Sequence, residues 1–450
     1  MANEPFMDRW TLNGTEVLLQ DHGRDEANGV PVLDGNAKLP TSYLPQNYAN
    51  WLKVDPRDPY NDSFAEWLSK LSSTELRNAG KFWNNGTGFS TTFNVYAPIR
   101  ANNIWVCYSS AHGCWWSEDG KSWTQGTGEN TTYTMNGLIY ANGVFVCGSN
   151  SHGCWWSEDG KSWTQGTGAN TTFSMHDFVY ANGLFVCGSN DHGCWWSENG
   201  KSWTQGTGDN VSQYSGFVAY VNGIWLCSDT GNERGGYWSE DGKTWTSFTS
   251  GPVIARGFSY ANGLFVCGSS REGIWWSTNG KAWTQCTGST PFMRSAYSVF
   301  VYANNTWVAG SSGNGIWWST DGKAWTQCTG IGSSYTVSEI IYMNGAWFAT
   351  TSIHGIWWST NGKAWTQGTG ANTTYTMNGL IYANGLFVCA SNGHGCWWSE
   401  DGKSWTQGTG EDTTFSGTTG AALAYADNLF VCATGKGCFW SGANVWRPPD

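Results

Sequence analysis

The chain has 450 residues, of which 60 are Gly and 33 are Trp, with 40% hydrophobic and only 13% charged side chains. That apolar content excludes a disordered polymer, and the excess of Gly and Trp points to repeats stacked into one body rather than to two or three ordinary cores. A formal charge of −11 leaves no basic stripe to neutralise phosphates, which sets aside nucleic acid and anionic membranes as partners. No run approaches the roughly 18–20 apolar residues of a membrane span.

In chain order, the first region is residues 1–79. It opens "MANEPFMDRW", without the basic start and apolar run of a secretory signal, so the expectation is synthesis in the cytoplasm with no signal-directed export. Residues 63–80, "SFAEWLSKLSSTELRNAG", predict a helix. Ser63 and Glu66 form a capping box, Phe64, Trp67, Leu68 and Leu71 make an apolar face, and Gly80 is the stop. The region is expected to be either a plug packed on the remainder or a docking element for a larger assembly.

Next, residues 81–85 read "KFWNN", the sequence of an outer strand with no partner strands ahead of it. The repeats downstream account for it. The signature "WWSEDGKSW" or a near relative places its second aromatic at Trp116, Trp156, Trp196, Trp238, Trp276, Trp318, Trp358, Trp398 and Trp440. A period of about 40 residues is that of four-stranded propeller blades.

One unit, residues 131–168, holds four short runs of aromatic and branched residues: strands a (133–140), b (144–148), c (153–157) and d (161–165). Asn142-Gly143 between a and b, and Asp159-Gly160 between c and d, are expected to be two-residue hairpin turns. Strands such as "LFVCG" and "GCWWS" are apolar on both faces, so each sheet requires cover on both sides. Sheets stacked around an axis supply it. The last unit, "FVCATGKGCFWSGANVWRPPD", loses the Asp-Gly turn and stops at Pro448-Pro449, so it lacks a good d strand. The prediction is an all-β propeller of nine four-stranded blades over residues 80–450, closed non-covalently by residues 81–85. A ring of eight blades with one displaced unit is the alternative.

The turns "SEDGKSW" (117–123) and "STDGKAW" (319–325) resemble the Asp-box, Ser-x-Asp-x-Gly-x-x-Trp, of sialidase-like propellers. The match is one residue short between Ser and Trp, and Asn199, Asn279 and Asn361 replace the Asp. In that family the box is a structural turn away from the active site, so the resemblance implies fold and not catalysis. Residues 29–45, "GVPVLDGNAKLPTSYLP", resemble the Gly-Val-Ala-x-Leu-Asp-x-x-Gly-Lys-Ile-Pro-x-x-Tyr-Leu-Pro stretch of bacteriophage tail fibres and related tail proteins. That resemblance implies a virion protein, made in the host cytoplasm and released by lysis.

In a meander, the a–b and c–d turns share one rim and the b–c and d–a loops share the other. The first rim is nearly constant among units and the second varies, so binding is expected on the b–c/d–a face. Two candidate sites fall there. Arg234, Arg256, Arg271 and Arg294, with Glu233 and Glu272 beside two of them, form a patch suited to carboxylated or phosphorylated glycans through forked hydrogen bonds, or else scattered surface ion pairs. The repeated d–a loops present Tyr133, Phe173, Tyr375 and Phe415 beside amides and hydroxyls, which suits sugars bound by avidity, or else packs the loops.

His112, His152, His192, His354 and His394 recur before Gly in the b–c loops. On neighbouring blades such points lie on the order of 10 Å apart or more, too far to share a metal at ~2 Å bond lengths. Cysteines come in pairs seven apart, as in Cys107/Cys114 and Cys147/Cys154. A turn centred between residues 150 and 151 makes the two face each other across the hairpin, where a disulfide is permitted. Because Ala and Ile take the same places in other units, the expectation is reduced, core-filling thiols, with no zinc. Neither a catalytic set nor a cofactor motif emerges. The expected function is a phage tail-associated receptor-binding protein that engages a bacterial surface glycan or receptor. A freestanding multivalent propeller lectin is the alternative, and a sialidase-like glycosidase is the third reading.

Overall fold

The computed structural model describes residues 9–12, 15–18, 79–89, 94–168, 171–190, 192–209, 215–229, 235–269, 271–288, 299–370, 373–410 and 422–442. The chain divides into two units, Gly80–Ser441 and, separately, Met1–Ala79 with Gly442–Asp450. The latter contains an antiparallel hairpin of Arg9–Leu12 with Thr15–Leu18. The segment resembling tail proteins, and the predicted helix as far as residue 78, lie outside the described residues.

Gly80–Ser441 is a propeller of nine antiparallel blades, each with the strand order a-b-c-d. In blade 2 these are Met135–Ala141, Val144–Ser149, Cys154–Ser157 and Thr164–Gln165. The a–b turn is of the mirror-image kind anticipated, since Asn142 (φ 50°) and Gly143 (φ 78°) both take positive φ. The c–d turn differs from expectation. Only Gly160 has positive φ there; Ser157 Oγ accepts from Gly160 N at 2.8 Å, and Asp159 Oδ1 accepts from Lys161 N and Ser162 N, both at 2.8 Å. The Asp side chain thus replaces backbone pairing and makes a longer turn. Asn199 Oδ1 makes the same two bonds in blade 3, so the turn needs an acceptor oxygen and not a charge.

Strand b explains the stacking. Its alternate residues face opposite neighbours: in blade 1, Ile104 and Val106 pack with blade 2, while Trp105 and Cys107 pack with blade 9. Each apolar cluster therefore spans a junction between blades. The Trp of strand c and the Trp of strand d, Trp155 and Trp163 in blade 2, are both buried there, and each is worth about 3–5 kcal/mol against truncation.

The ninth blade is closed as predicted. Phe82–Asn85 pairs antiparallel with strand c of blade 9 through Asn84↔Trp440 and Asn85↔Phe439. Gly80 N donates to Ser441 Oγ at 2.7 Å, and Gly86 N to the Cys438 carbonyl at 2.7 Å.

Two further features join every pair of blades. First, the residues just after each d strand bond in parallel to the next d strand, as in Thr127 N to Lys161 O (2.8 Å) and Trp163 N to Thr127 O (2.8 Å). Equivalent parallel bridges occur at all nine junctions, including Phe82↔Thr409 at the closure. This girdle explains the repeated "GTG": Gly128 has φ 128°, and a Cβ on it would lie 2.3 Å from Trp163 O. Second, the Lys of each c–d turn lies over the second Trp of the preceding blade, as Lys161 does over Trp116 at 4.1 Å, and Lys81 over Trp398 at the closure. Lys161 also pairs with Glu118 at 2.8 Å.

The thiols meet elsewhere than expected. Cys147 is opposite Trp155 and Cys154 opposite Gly148, because the b–c turn centres on residue 151. Cys147 instead meets Cys114 of blade 1, and Cys154 meets Cys187 of blade 3. Cys107 with Cys438 and Cys194 with Cys227 share their clusters in the same way, whereas Ile274 with Ala309 and Ile316 with Ala349 fill other junctions. All fourteen cysteines are free. Stacked sheets lie about 10 Å apart, beyond the roughly 4.4–6.8 Å that a disulfide spans between Cα atoms. Burial first, and the adjoining sulfur second, push the thiols of Cys107, Cys114, Cys187 and Cys396 well above the ordinary range.

Candidate binding face

The variable rim is built from one recurring unit, in which the strap between blades carries the aromatic and the b–c loop carries the imidazole. At blade 2, Asn150 N donates to Thr134 O at 3.0 Å, while Thr134 Oγ1 donates back to Ser110 O of blade 1 at 2.5 Å. In the same loop, Gly153 N donates to Phe173 O of the strap leading to blade 3 at 2.9 Å. The His152 carbonyl accepts from Trp155 Nε1 (3.1 Å) and Gln165 Nε2 (2.8 Å). The main chain of the loop is thereby tied both to its own sheet and to its neighbour.

The side chains are fixed as well. The ring of Tyr133 stacks on that of His152 with centroids 3.7 Å apart, and His152 Nδ1 lies 2.9 Å from the Asn150 carbonyl. The same pair recurs as Phe173/His192, Tyr335/His354 and Tyr375/His394, each at 3.5 Å. In each, Nδ1 lies 2.7 to 3.0 Å from a backbone carbonyl two residues earlier. The predicted aromatics Tyr133, Phe173 and Tyr375 are thus half-buried, each with one ring face covered by imidazole. Phe415 lies outside the described residues. In the sequence alone the histidines and aromatics read as separate features. A partial signal joining them is their joint loss in blade 5, which has Glu272 in place of His and Val253 in place of the aromatic, although blade 9 has Phe415 in its d–a loop and Lys436 in the place of His.

The predicted arginine patch is described only in part. Arg234, Glu233 and Arg294 lie outside the described residues, and Arg256 is described by its main chain, opposite Gly268. Arg271 is exposed in the b–c loop of blade 5. Glu272 turns inward, where its Oε2 accepts from Val253 N at 2.8 Å. It caps the strap that leads into blade 5.

Nearer the axis, strand a carries two half-buried carboxylates. Asp177 Oδ2 accepts from Val218 N of blade 4 at 2.5 Å, and Glu339 Oε2 accepts from Leu380 N of blade 8 at 2.7 Å. Each serves an N–H that the bulge of the next strand a leaves without a ladder partner. Burial raises both above the usual carboxylate range, partly offset by the N–H bond. Among the described residues, no group of three or more His, Cys, Asp or Glu converges on a point that could hold a metal. On the opposite rim, a shallow hollow between blades 3 and 4 is lined by Leu184, Glu198, Glu240 and Lys243. Its Lys243 is committed to Trp196 and Glu198.

No protein-family model matches the chain, and no curated protein matches it in sequence. Its likeness is to solved propellers. The Dos1 propeller aligns at 7% identity with a TM-score of 0.50, covering 82% of this chain and 97% of that one. The computationally designed Ika8 protein aligns at 11% identity and a TM-score of 0.49, covering 69% and 96%. YCF48 from Cyanidioschyzon merolae aligns at 13% identity and a TM-score of 0.43, covering 81% and 100%. Identities this low speak for the propeller fold alone.

Proposed function

We propose that this chain is a receptor-binding protein of a bacteriophage tail, carried on the virion, whose propeller engages a glycan or other receptor on the bacterial surface. The reading is of a binder and not a hydrolase. One observation carries it: the two rims are unlike. On one rim blades 1 to 8 repeat the same Asx-type turn, lysine and tryptophan, and Lys81 and Trp83 stand in at blade 9, all spent on holding blades together. On the other, loops of different length and content stand on a rigid ring, the arrangement in which recognition residues accumulate. The resemblance of residues 29–45 to tail proteins supports attachment through residues 1–79.

The test is binding of the labelled chain to a panel of bacterial strains, with and without removal of surface polysaccharide. Binding to a subset of strains that is lost with the polysaccharide, and no sugar released from it, is expected. Failure to bind any strain, or release of sugar, refutes the reading. The recurrence of one loop unit in several blades favours a second reading, a freestanding multivalent lectin. Under it, removal of residues 1–79 leaves cell binding intact and no virion carries the chain.

A further inference from the structure

We propose, resting on the binding reading above and narrowing its ligand, that blades 2, 3 and 8 each carry a subsite for adjacent hydroxyls of an uncharged sugar. The side-chain amide of Asn150, Asn190 or Asn392 is the donor, and Nε2 of His152, His192 or His394 is the acceptor.

Hydrogen-bonding capacity decides these roles. A backbone carbonyl only accepts, so each of these histidines carries its proton on Nδ1, facing the carbonyl at 2.7 to 3.0 Å. In the neutral imidazole Nε2 is then a bare acceptor. The amide oxygens are used in the same three blades: Asn150 Oδ1 accepts from Asn136 Nδ2, Asn190 Oδ1 from His176 Nε2 at 2.9 Å, and Asn392 Oδ1 from Asn378 Nδ2 at 3.2 Å. Each leaves an NH2 donor two residues from the imidazole acceptor. Among the described residues neither group meets a protein partner. A sugar hydroxyl both donates and accepts, so neighbouring hydroxyls satisfy the amide donor and the imidazole acceptor together.

The repeats supply their own control. Where Glu272 or Asn314 stands in place of His, the backbone carbonyl still accepts from Gln285 or Gln327. The turn therefore does not require imidazole. Blade 7 keeps the stack of Tyr335 on His354 but has Ser352 in place of the amide, so it lacks the NH2 donor and has only a shorter hydroxyl there. Stacking fixes the imidazole before ligand arrives, which spares ordering entropy. Each subsite alone is weak, and those on adjacent blades 2 and 3 can be spanned by one oligosaccharide.

Arrays of neutral and of acidic oligosaccharides, probed with the intact chain beside the bacterial panel, test this. Binding to neutral glycans is expected. It should fall at least tenfold in the triple variant His152→Phe, His192→Phe, His394→Phe, which keeps the stacks and removes the acceptors. It should fall likewise in Asn150→Asp, Asn190→Asp, Asn392→Asp, while Ser352→Ala in blade 7 binds as the parent does. Should the Phe triple unfold, the Asp triple decides, since it retains each acceptor oxygen. Parent-like binding by these triples, or recognition of acidic glycans alone, overturns the proposal. So does cell binding without any neutral-glycan binding, an outcome that leaves the receptor reading intact. Binding to neither cells nor glycans overturns both.

Discussion

Replacing Trp83 with Ala probes the ring where its closure is weakest. Trp83 is 2% exposed, it packs against Phe430 with centroids 6.5 Å apart, and its Nε1 donates to Gly80 O at 3.2 Å. A Trp side chain buries roughly 150–250 Å², which at about 25 cal/mol per Å² is about 4–6 kcal/mol as an upper figure; core truncations of this size cost about 3–5 kcal/mol. Trp405 is the equivalent residue of blade 8 and is 3% exposed. Trp405→Ala should cost a similar amount overall, but there the weakened strand stays tethered to strand c by its own turn. Strand 82–85 has no such tether and holds strand c through two residue pairs. Trp83→Ala should therefore let the strand detach as a local event, well below global unfolding. Hydrogen exchange by mass spectrometry reads this directly. Peptides covering residues 429–441 should lose protection in Trp83→Ala and keep most of it in Trp405→Ala. Unchanged exchange in those peptides, with a denaturation midpoint matching the parent, would refute the reasoning.

Acidification should destabilise the ring through five turn carboxylates, whereas at two other sites it is rising pH that destabilises. For Asp119, Asp159, Asp241, Asp321 and Asp401, burial alone would raise the pKa, but turn N–H groups and the Ser hydroxyl outweigh it and lower each carboxylate. Their contribution is present above the ordinary carboxylate range and lost as pH falls through the lowered values. Changing all five to Asn should flatten the acid limb of a pH series of melting curves with little effect at neutrality. Asp177 and Glu339 are raised, so stability falls as pH climbs from the ordinary carboxylate range through their raised values; Asp177→Asn with Glu339→Gln should remove that fall. The thiol pairs behave as apolar fillers. Cys154→Ile with Cys187→Ala, which copies the Ile274/Ala309 junction, should change unfolding free energy by less than about 1.5 kcal/mol, while Cys154→Ser should cost about 1–3 kcal/mol. Lys161→Met should cost no more than about 1 kcal/mol in urea unfolding, because an exposed lysine over an indole and a surface ion pair are each worth that or less.

Most of what one repeat contains was legible in the sequence, the c–d turn and the centre of the b–c turn excepted. Period, strand number and the Asn-Gly turns are local, and the missing d strand of unit nine was readable because Lys81–Asn85 supplied the absent piece. Features made between blades stayed hidden. The partner of Cys147 is Cys114 and not Cys154, since side-chain alternation in strand b assigns a residue to one neighbour or the other and the repeat pattern is the same for both. The girdle was present as "GTG", but only the 2.3 Å approach of Gly128 to Trp163 O shows why glycine is required. The stacked histidines were likewise visible as letters, while their rotation against the aromatics needed the fold of two loops together. Half of the arginine patch falls in loops whose content is unique to one blade, where repetition offers no template.

A nascent chain delivers residues 82–85 long before the segment they must meet, since Gly80 and Ser441 are 361 positions apart. Until synthesis reaches strand c of blade 9, every earlier blade can be in place while the circle stays open and its last sheet shows a bare edge. An open edge accepts any matching ribbon, including that of another copy. Chains stalled or truncated before residue 441 should therefore swap strands into dimers and longer assemblies, and folding speed should be governed by the final long-range encounter rather than by any single blade.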